Sequence, residues 1–196
     1  MPAKTVNLDM HAIATLRYIR DSMDAAGSVA VPGSAGIAMG IVGLAATALS
    51  LMPAFAPHWF VIWLTAAPIG ALAGALLLTR AASLGSFTAP GTPGRKLVLG
   101  LMPGLFAGAV MTGVLWNANH LGAAPGAWLL LYGCALISAS VSTRPIVTWM
   151  GSCFVALGVL ALVAPAPSQI PLLGLGFGGL HIIFGILIAR DAAHGR

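Results

Sequence analysis

The sequence predicts an all-α, polytopic membrane protein, and three observations support this fold class. The chain of 196 residues is 59% hydrophobic and only 7% charged, with a mean hydropathy of +0.97. A soluble domain carries roughly 25% charged residues, so this chain has too little polar surface to face water on all sides. Six apolar runs are each long enough to cross a bilayer as a helix, and lysine and arginine occur only in alternate connections between them.

The N-terminal segment, residues 1–29, differs in composition from the rest of the chain. Arg17 and Arg20 lie four residues before Asp21 and Asp24, at the spacing of ion pairs on a helix surface. Apolar residues recur at helical spacing on another face, at Leu8, Ala12, Leu16, Ile19, Met23 and Ala26. This pattern predicts an amphipathic helix that lies along the cytoplasmic membrane surface. The segment is not expected to be a signal peptide, because it lacks an apolar central region.

The remaining chain, 30–190, is expected to form a bundle of six transmembrane helices, followed by a cytoplasmic tail at 191–196. The spans are predicted at about 34–52, 59–79, 97–116, 125–142, 145–164 and 171–190. They are expected to form three helical hairpins, because a methionine and an arginine recur 41, 42 and 40 residues apart, at Met39–Arg80, Met102–Arg144 and Met150–Arg190. Duplication of one hairpin would explain this spacing, and so would the similar length that a bilayer imposes on every hairpin.

The distribution of positive charge predicts the orientation of the bundle. The connections at 53–58, 117–124 and 165–170 contain no lysine or arginine. The two intervening connections each contain arginine, and one of them also contains lysine. Under the positive-inside rule, both termini are cytoplasmic. We therefore expect an integral protein of a bacterial inner membrane, with the lipid bilayer as its first partner.

Small residues at a spacing of four predict close contacts between helices, either within one chain or between chains. The glycine pairs are Gly36 and Gly40, Gly70 and Gly74, Gly104 and Gly108, and Gly174 and Gly178. Pro68 lies midway along the second span, where it removes a backbone hydrogen bond and favours a kink. Such a kink either opens a cavity or shapes the bundle, so Pro68 is a candidate cavity residue.

Halfway along the last span lies His181, the one acidic or basic residue near the middle of any apolar run. An ionisable residue inside a membrane is a functional candidate by default, so His181 is a candidate substrate or cavity residue. Cys134 and Cys153 lie at a similar distance from the basic ends of their spans, and Cys, Cys and His are competent ligands for zinc or a soft metal. His181 could instead ligate haem. The structural alternative is two packing cysteines and a histidine that hydrogen-bonds to a neighbouring helix.

Two further histidines, His58 and His120, occur in the outer turns of the first two hairpins. This pair is a candidate outer-face metal site or pH-sensitive site. Histidines without such a role also occur at membrane interfaces, and the sequence leaves both interpretations open.

The function classes are narrowed mainly by what the sequence lacks. No span contains Asp or Glu, so the carboxylate relay of many ion-coupled carriers is missing, and no G-x-S-x-G or H-E-x-x-H motif occurs. The net charge of +5 is scattered over several segments, which favours anionic lipid headgroups over nucleic acid as its partner. The first hypothesis is a non-enzymatic membrane protein, either transporter-like or an accessory or structural subunit, in a homo-oligomer or a larger membrane complex. The alternative is a metal- or haem-binding redox protein centred on His181, Cys134 and Cys153.

Overall fold

The computed structural model describes residues 13–16, 31–82 and 85–194. The amphipathic helix predicted at 1–29 therefore lies almost entirely outside the described residues. Of that segment only 13–16 are described, and they form one helical turn with exposed side chains. All regular secondary structure in the described ranges is helical.

Six helices in the described part of the chain are long and apolar enough to cross a membrane. They are α1 (Gly33–Leu51), α2 (Trp59–Ala81), α3 (Pro93–Asn117), α4 (Ala124–Ser140), α5 (Pro145–Val163) and α6 (Ala166–His194). Short helical turns, Ala56–His58, Gly85–Thr88 and Leu121–Ala123, lie in the connections. The all-helical class is confirmed, and so is the prediction of six helices long and apolar enough to cross a membrane.

Two helices begin earlier than the sequence predicts. Helix α3 begins at Pro93 rather than near residue 97, and α6 begins at Ala166 rather than at residue 171. The prediction began each span at the first uninterrupted apolar residue, after Arg95 and Lys96 in the case of α3. A helix does not need apolar residues in its first turn, and proline suits that turn because its missing N–H would have no intrahelical partner. Helix α6 also continues to His194, into the predicted tail.

The packing order of the helices differs in part from three successive hairpins. Helix α1 packs against α2, and α4 packs extensively against both α3 and α5. Helix α6 makes its most extensive contacts with α1 rather than with its sequence neighbour α5, and it also contacts α4. The hairpin arrangement is therefore not confirmed, and α6 joins the first helix of the bundle to the pair formed by α4 and α5.

Aromatic contacts join three helices at the end of the bundle that carries the uncharged turns. The ring centroids of Trp59 and Trp128 are 6.4 Å apart, and those of Phe60 and Trp116 are 5.2 Å apart. At the opposite end, Arg144 before α5 forms an ion pair with Asp191 near the end of α6, at 2.6 Å. The uncharged connections between α1 and α2 and between α3 and α4 therefore lie at the opposite end of the bundle from this ion pair.

The buried core is built by five of the six helices described. Its buried members are Ala46, Trp63, Leu129, Leu136, Val147, Met150, Phe154, Ala161 and Leu173. Helix α3 lies at the edge, where Leu97 packs with Ala139 of α4, while Phe106 on its outer side is 72% exposed. Large exposed apolar side chains of this kind are expected on a surface that faces lipid tails.

Candidate functional site

The centre of the bundle contains His181, which follows a π-helical segment of α6, Leu175–Leu180. The segment has the sequence LGFGGL, and an added Cβ atom at Gly176 would overlap a side-chain carbon of Leu129 and one at Gly178 would lie 2.6 Å from a side-chain carbon of Leu44. Short π-helical segments inside α-helices occur frequently at functional sites. The His181 side chain is 2% exposed, so it lies in the interior of the protein and away from lipid.

A hydrogen bond between two helices holds the imidazole ring of His181. The hydroxyl group of Tyr132 on α4 lies 2.9 Å from Nε2 of His181. Nδ1 has no hydrogen-bond partner among the described residues. The Tyr132 hydroxyl donates to Nε2 when the imidazole proton is on Nδ1, and it accepts from Nε2 when the proton is on Nε2.

Aromatic rings from three helices surround the imidazole ring of His181. The centroids of Tyr132, Phe154 and Phe177 lie 5.4, 5.2 and 6.0 Å from the centroid of His181. The ring of Phe177 stacks on the imidazole with an interplanar angle of 16°. Trp63 of α2 packs on Phe177 at 6.0 Å, and its buried Nε1 has no hydrogen-bond partner within the described ranges. We call Trp63, Tyr132, Phe154, Phe177 and His181 the aromatic cluster.

Three members of the aromatic cluster, Trp63, Phe154 and His181, are buried, and Tyr132 and Phe177 are half-buried. Phe154, Leu129 and Leu173, which lie in the same core, are each 0% exposed. Two surface depressions formed by described residues lie elsewhere, one beside Arg144 and Arg190 and one beside Trp116 and Asn119. His181 therefore lines neither depression.

Pro68, the second candidate cavity residue, lies within α2 and is exposed on its outer side. Gly70 and Gly74, which follow it, face α1 instead, and a Cβ atom at Gly74 would lie 2.7 Å from the sulfur of Met39. The proline is thus on the side of the helix away from the bundle. Its position supports a role in shaping α2 rather than in opening a cavity.

The two cysteines do not join His181 in a ligand set. Cys134 is exposed on α4, Cys153 is half-buried on α5, and both are free thiols. Among the residues that the structure describes, no group of three His, Cys, Asp or Glu side chains is placed to hold a metal ion. The sequence placed the three residues at similar depth, but each residue rotates the helix face by about 100°, so equal depth does not put side chains on facing surfaces. Haem ligation through Nε2 of His181 would have to replace the hydrogen bond that this atom forms with the Tyr132 hydroxyl.

The outer histidines His58 and His120 are both exposed, at the end of one helical turn and just before another. Their role as an outer-face site stays a prediction.

Backbone contacts through glycine hold α1 against the segment that carries His181. A Cβ atom at Gly36 would lie 3.0 Å from the carbonyl oxygen of His181, and one at Gly40 would lie 2.8 Å from that of Gly178. Gly174 and Gly178 of α6 in turn face Thr47 and Leu44 of α1. The close approach of the two backbones leaves no room for side chains at these positions, so these glycines act within one chain.

The glycines at the other predicted pairs have different surroundings. Gly70 faces Val42 of α1 at 3.8 Å, and Gly104 faces Ala135 of α4 at 2.7 Å, measured from an added Cβ atom. Gly108 has no neighbouring atom within 4 Å of such a Cβ atom in the described part of the chain. A four-residue spacing therefore does not by itself show that both glycines of a pair lie in a helix contact.

The sequence reasoning missed Tyr132, Phe154 and Phe177, although one signal was present. The chain has two tyrosines, and Tyr132 is the one that occurs inside an apolar run. A tyrosine buried in hydrocarbon needs a hydrogen-bond partner, and His181 is the polar side chain at comparable depth. Phe154 and Phe177 carry no comparable signal, because phenylalanine is common throughout membrane helices.

We expect the Tyr132–His181 hydrogen bond to stabilise the bundle by about 1 kcal/mol, a typical value for polar contacts between membrane helices. Tyr132→Phe should lower the free energy of unfolding by this amount, because it leaves Nε2 of His181 without its hydrogen-bond partner. A double-mutant cycle with His181→Leu, measured by denaturant titration in micelles, isolates the coupling between the two side chains. Ser152→Ala, which removes a hydroxyl bonded within its own helix, is the control. A coupling energy near zero would contradict the contribution of this bond.

No protein-family model matches the chain, and no curated protein or solved structure matches it either.

Proposed function

We propose that the chain is a non-enzymatic, multi-pass membrane subunit that acts through its outer surfaces, in a homo-oligomer or a larger membrane complex. The observation that carries this proposal is the sealed centre of the bundle. His181 is 2% exposed, and the side chains of Phe154 and Leu173 are fully buried. A bundle with a filled, aromatic centre offers no chamber in which a substrate would bind.

The contacts between α1 and α6 support a rigid rather than a gated bundle. At Gly33, Gly40 and Gly43, atoms of the α6 backbone occupy the space that a side chain would need. Helices in direct backbone contact slide or separate only with loss of many packing contacts at once. Rigidity of this kind suits a subunit that presents a constant surface to a partner or to lipid.

The proposed orientation has both termini on the cytoplasmic side of a bacterial inner membrane. It is supported by the absence of Lys and Arg from the connections at 53–58, 117–124 and 165–170. The positive-inside rule relates such connections to the outer side of the membrane.

A transporter-like role has one supporting observation of its own. Nδ1 of His181 and Nε1 of Trp63 are buried polar atoms without hydrogen-bond partners in the described part of the chain, and His181 follows a π-helical segment. Buried polar groups normally have partners, so an alternative arrangement of the bundle would satisfy them if it opened a path to the centre. Under this second proposal the sealed bundle is the occluded state of a carrier, and its solute is neutral, because none of the described residues places a charged side chain in the centre.

Thiol labelling in membranes distinguishes the two proposals. In a Cys134→Ser, Cys153→Ser background, Leu173→Cys places a thiol in the sealed centre, and Phe55→Cys places one in an outer turn where the side chain is 47% exposed. We expect a membrane-impermeant maleimide, applied from outside intact cells, to label Phe55→Cys and to leave Leu173→Cys unlabelled. Chemical cross-linking of the unmodified protein in native membranes is the second arm, and we expect species of higher mass than the monomer.

Each arm has an outcome that contradicts part of the proposal. Labelling of Leu173→Cys would show that water reaches the centre and would favour the carrier. Labelling of Phe55→Cys only in inside-out vesicles would reverse the orientation. Recovery of monomers alone, with no cross-linked partner, would oppose the role as a subunit of a complex.

A further inference from the structure

A depression of about 530 Å³ lies at the charged end of the bundle, between the beginning of α5 and the end of α6. Its lining includes Ile146 and Leu187, and its charged side chains are Arg144, Arg190 and Asp191. We call it the basic depression. It is separate from the aromatic cluster.

The charges in the basic depression are not balanced. Nη1 of Arg144 donates a hydrogen bond to Oδ2 of Asp191 at 2.6 Å, which holds that guanidinium at the rim. Asp191 is the one carboxylate among the described residues, and it is already occupied by Arg144. The guanidinium group of Arg190 has no ion pair or hydrogen bond within the described ranges, so one positive charge in the depression is available to an anion.

The N-terminus of α5 adds positive potential at the same place. Arg144 is the N-cap residue of α5, and no side-chain hydrogen bond caps that helix, so the positive end of its dipole faces the depression. His194, which also lines the depression, donates from Nδ1 to the carbonyl oxygen of Arg190 at 2.7 Å.

The lining of the basic depression changes from charged to apolar along the helices, as a lipid changes from headgroup to acyl chain. Leu187 lies three and four residues before Arg190 and Asp191, so it shares their helix face but is one turn closer to the middle of the membrane. The Leu187 side chain is 41% exposed, and Ile146 is half-buried. A ligand that fits here carries its negative charge at the end of the bundle and its apolar part along the helices.

We propose that the basic depression binds an anionic phospholipid, with a headgroup phosphate oxygen accepting hydrogen bonds from Arg190 and an acyl chain along Leu187 and Ile146. Arginine suits this role, because its planar guanidinium group donates two parallel hydrogen bonds to a phosphate. Basic pockets between transmembrane helices are known to bind phospholipid headgroups. A free phosphate ion would gain the charge contact but would leave the apolar lining unused.

Lipid retention by the purified, full-length chain tests this site. Native mass spectrometry after reconstitution into nanodiscs of phosphatidylcholine and phosphatidylglycerol would count the phosphatidylglycerol molecules that remain bound. We expect Arg190→Gln to reduce this retention about fivefold, because one arginine near the membrane surface contributes roughly 1 kcal/mol to binding of anionic lipid. Arg190→Lys, which keeps the charge but not the paired donors, should retain an intermediate amount.

The matched control is Arg80→Gln, which removes an exposed arginine near the end of α2, outside the depression. We expect this variant to retain phosphatidylglycerol as the unmodified chain does. An equal loss in both variants would show a diffuse surface potential and would overturn the site, as would no loss in Arg190→Gln. Inorganic phosphate that stabilises the protein in pure phosphatidylcholine as strongly as phosphatidylglycerol does would overturn the assignment to lipid.

Discussion

Gly43→Ala should destabilise the bundle by about 3 kcal/mol, the upper part of the usual range for overpacking a well-filled interior. A Cβ atom at this position would lie 2.5 Å from the carbonyl oxygen of Phe177, 2.6 Å from its carbonyl carbon and 2.8 Å from the nitrogen of Gly178. All three are backbone atoms, so no side-chain rotation relieves the contact. Helix α1 would have to move away from α6, with loss of packing along the whole contact. Denaturant titration in micelles measures this change.

Gly108→Ala is the matched control, because it makes the same substitution inside a helix. No atom lies within 4 Å of an added Cβ atom at Gly108 among the described residues. We expect this variant to be unchanged or more stable by up to about 1 kcal/mol, since alanine favours a helix more than glycine does. Equal destabilisation by both substitutions would show that the loss at Gly43 does not arise from the α1–α6 contact.

Phe154→Ala should also lower the free energy of unfolding by about 3 kcal/mol. The Phe154 side chain is fully buried, and its ring lies 5.0 Å from Tyr132, 5.3 Å from Phe177 and 5.2 Å from His181. In a membrane the separated helices also bury phenylalanine in hydrocarbon, so little of this loss is a transfer free energy. The loss comes from the cavity and from the ring contacts, which places the expected value at the lower end of the range for soluble proteins.

The control for Phe154→Ala is Phe106→Ala on α3, where the side chain is 72% exposed on the outer side of the bundle. Lipid tails would occupy the space that this substitution creates, so we expect a change of less than about 0.5 kcal/mol. The same experiment reports on the Tyr132–His181 pair. If Phe154 positions that pair, the coupling energy between Tyr132 and His181 should be smaller in the Phe154→Ala background.

The burial of His181 within the aromatic cluster changes how the intramembrane histidine is interpreted. From the sequence, His181 was a candidate for substrate, metal or haem binding. Its hydrogen bond to Tyr132 and its stacking against Phe177 give the imidazole ring a polar and an aromatic partner within the protein itself. Nδ1 has no hydrogen-bond partner among the described residues, and this atom supports the alternative proposal of a carrier.

The positions of the membrane helices followed from composition because hydrocarbon permits few structures. Every backbone polar group in a bilayer core must be satisfied internally, so an apolar run of about 20 residues forms a helix. The predicted spans at 59–79 and 145–164 accordingly agree with α2 and α5 to within two residues. Errors of four or five residues arose at the starts of α3 and α6, where the helix extends past the apolar run.

The partner of each helix was decided only in three dimensions. Apolar residues surround these helices on all sides, so the sequence contains almost no amphipathic signal for which face turns inward. Glycine spacing identified Gly36 and Gly40 as contact positions without showing that α6 is their partner. It also treated Gly108 as equivalent to Gly104, although among the described residues only Gly104 has a neighbour within 4 Å of an added Cβ atom. Depth along a helix can be counted from the sequence, but the rotation of each helix depends on how side chains pack. That rotation brought Tyr132 to His181 and turned Cys134 outward.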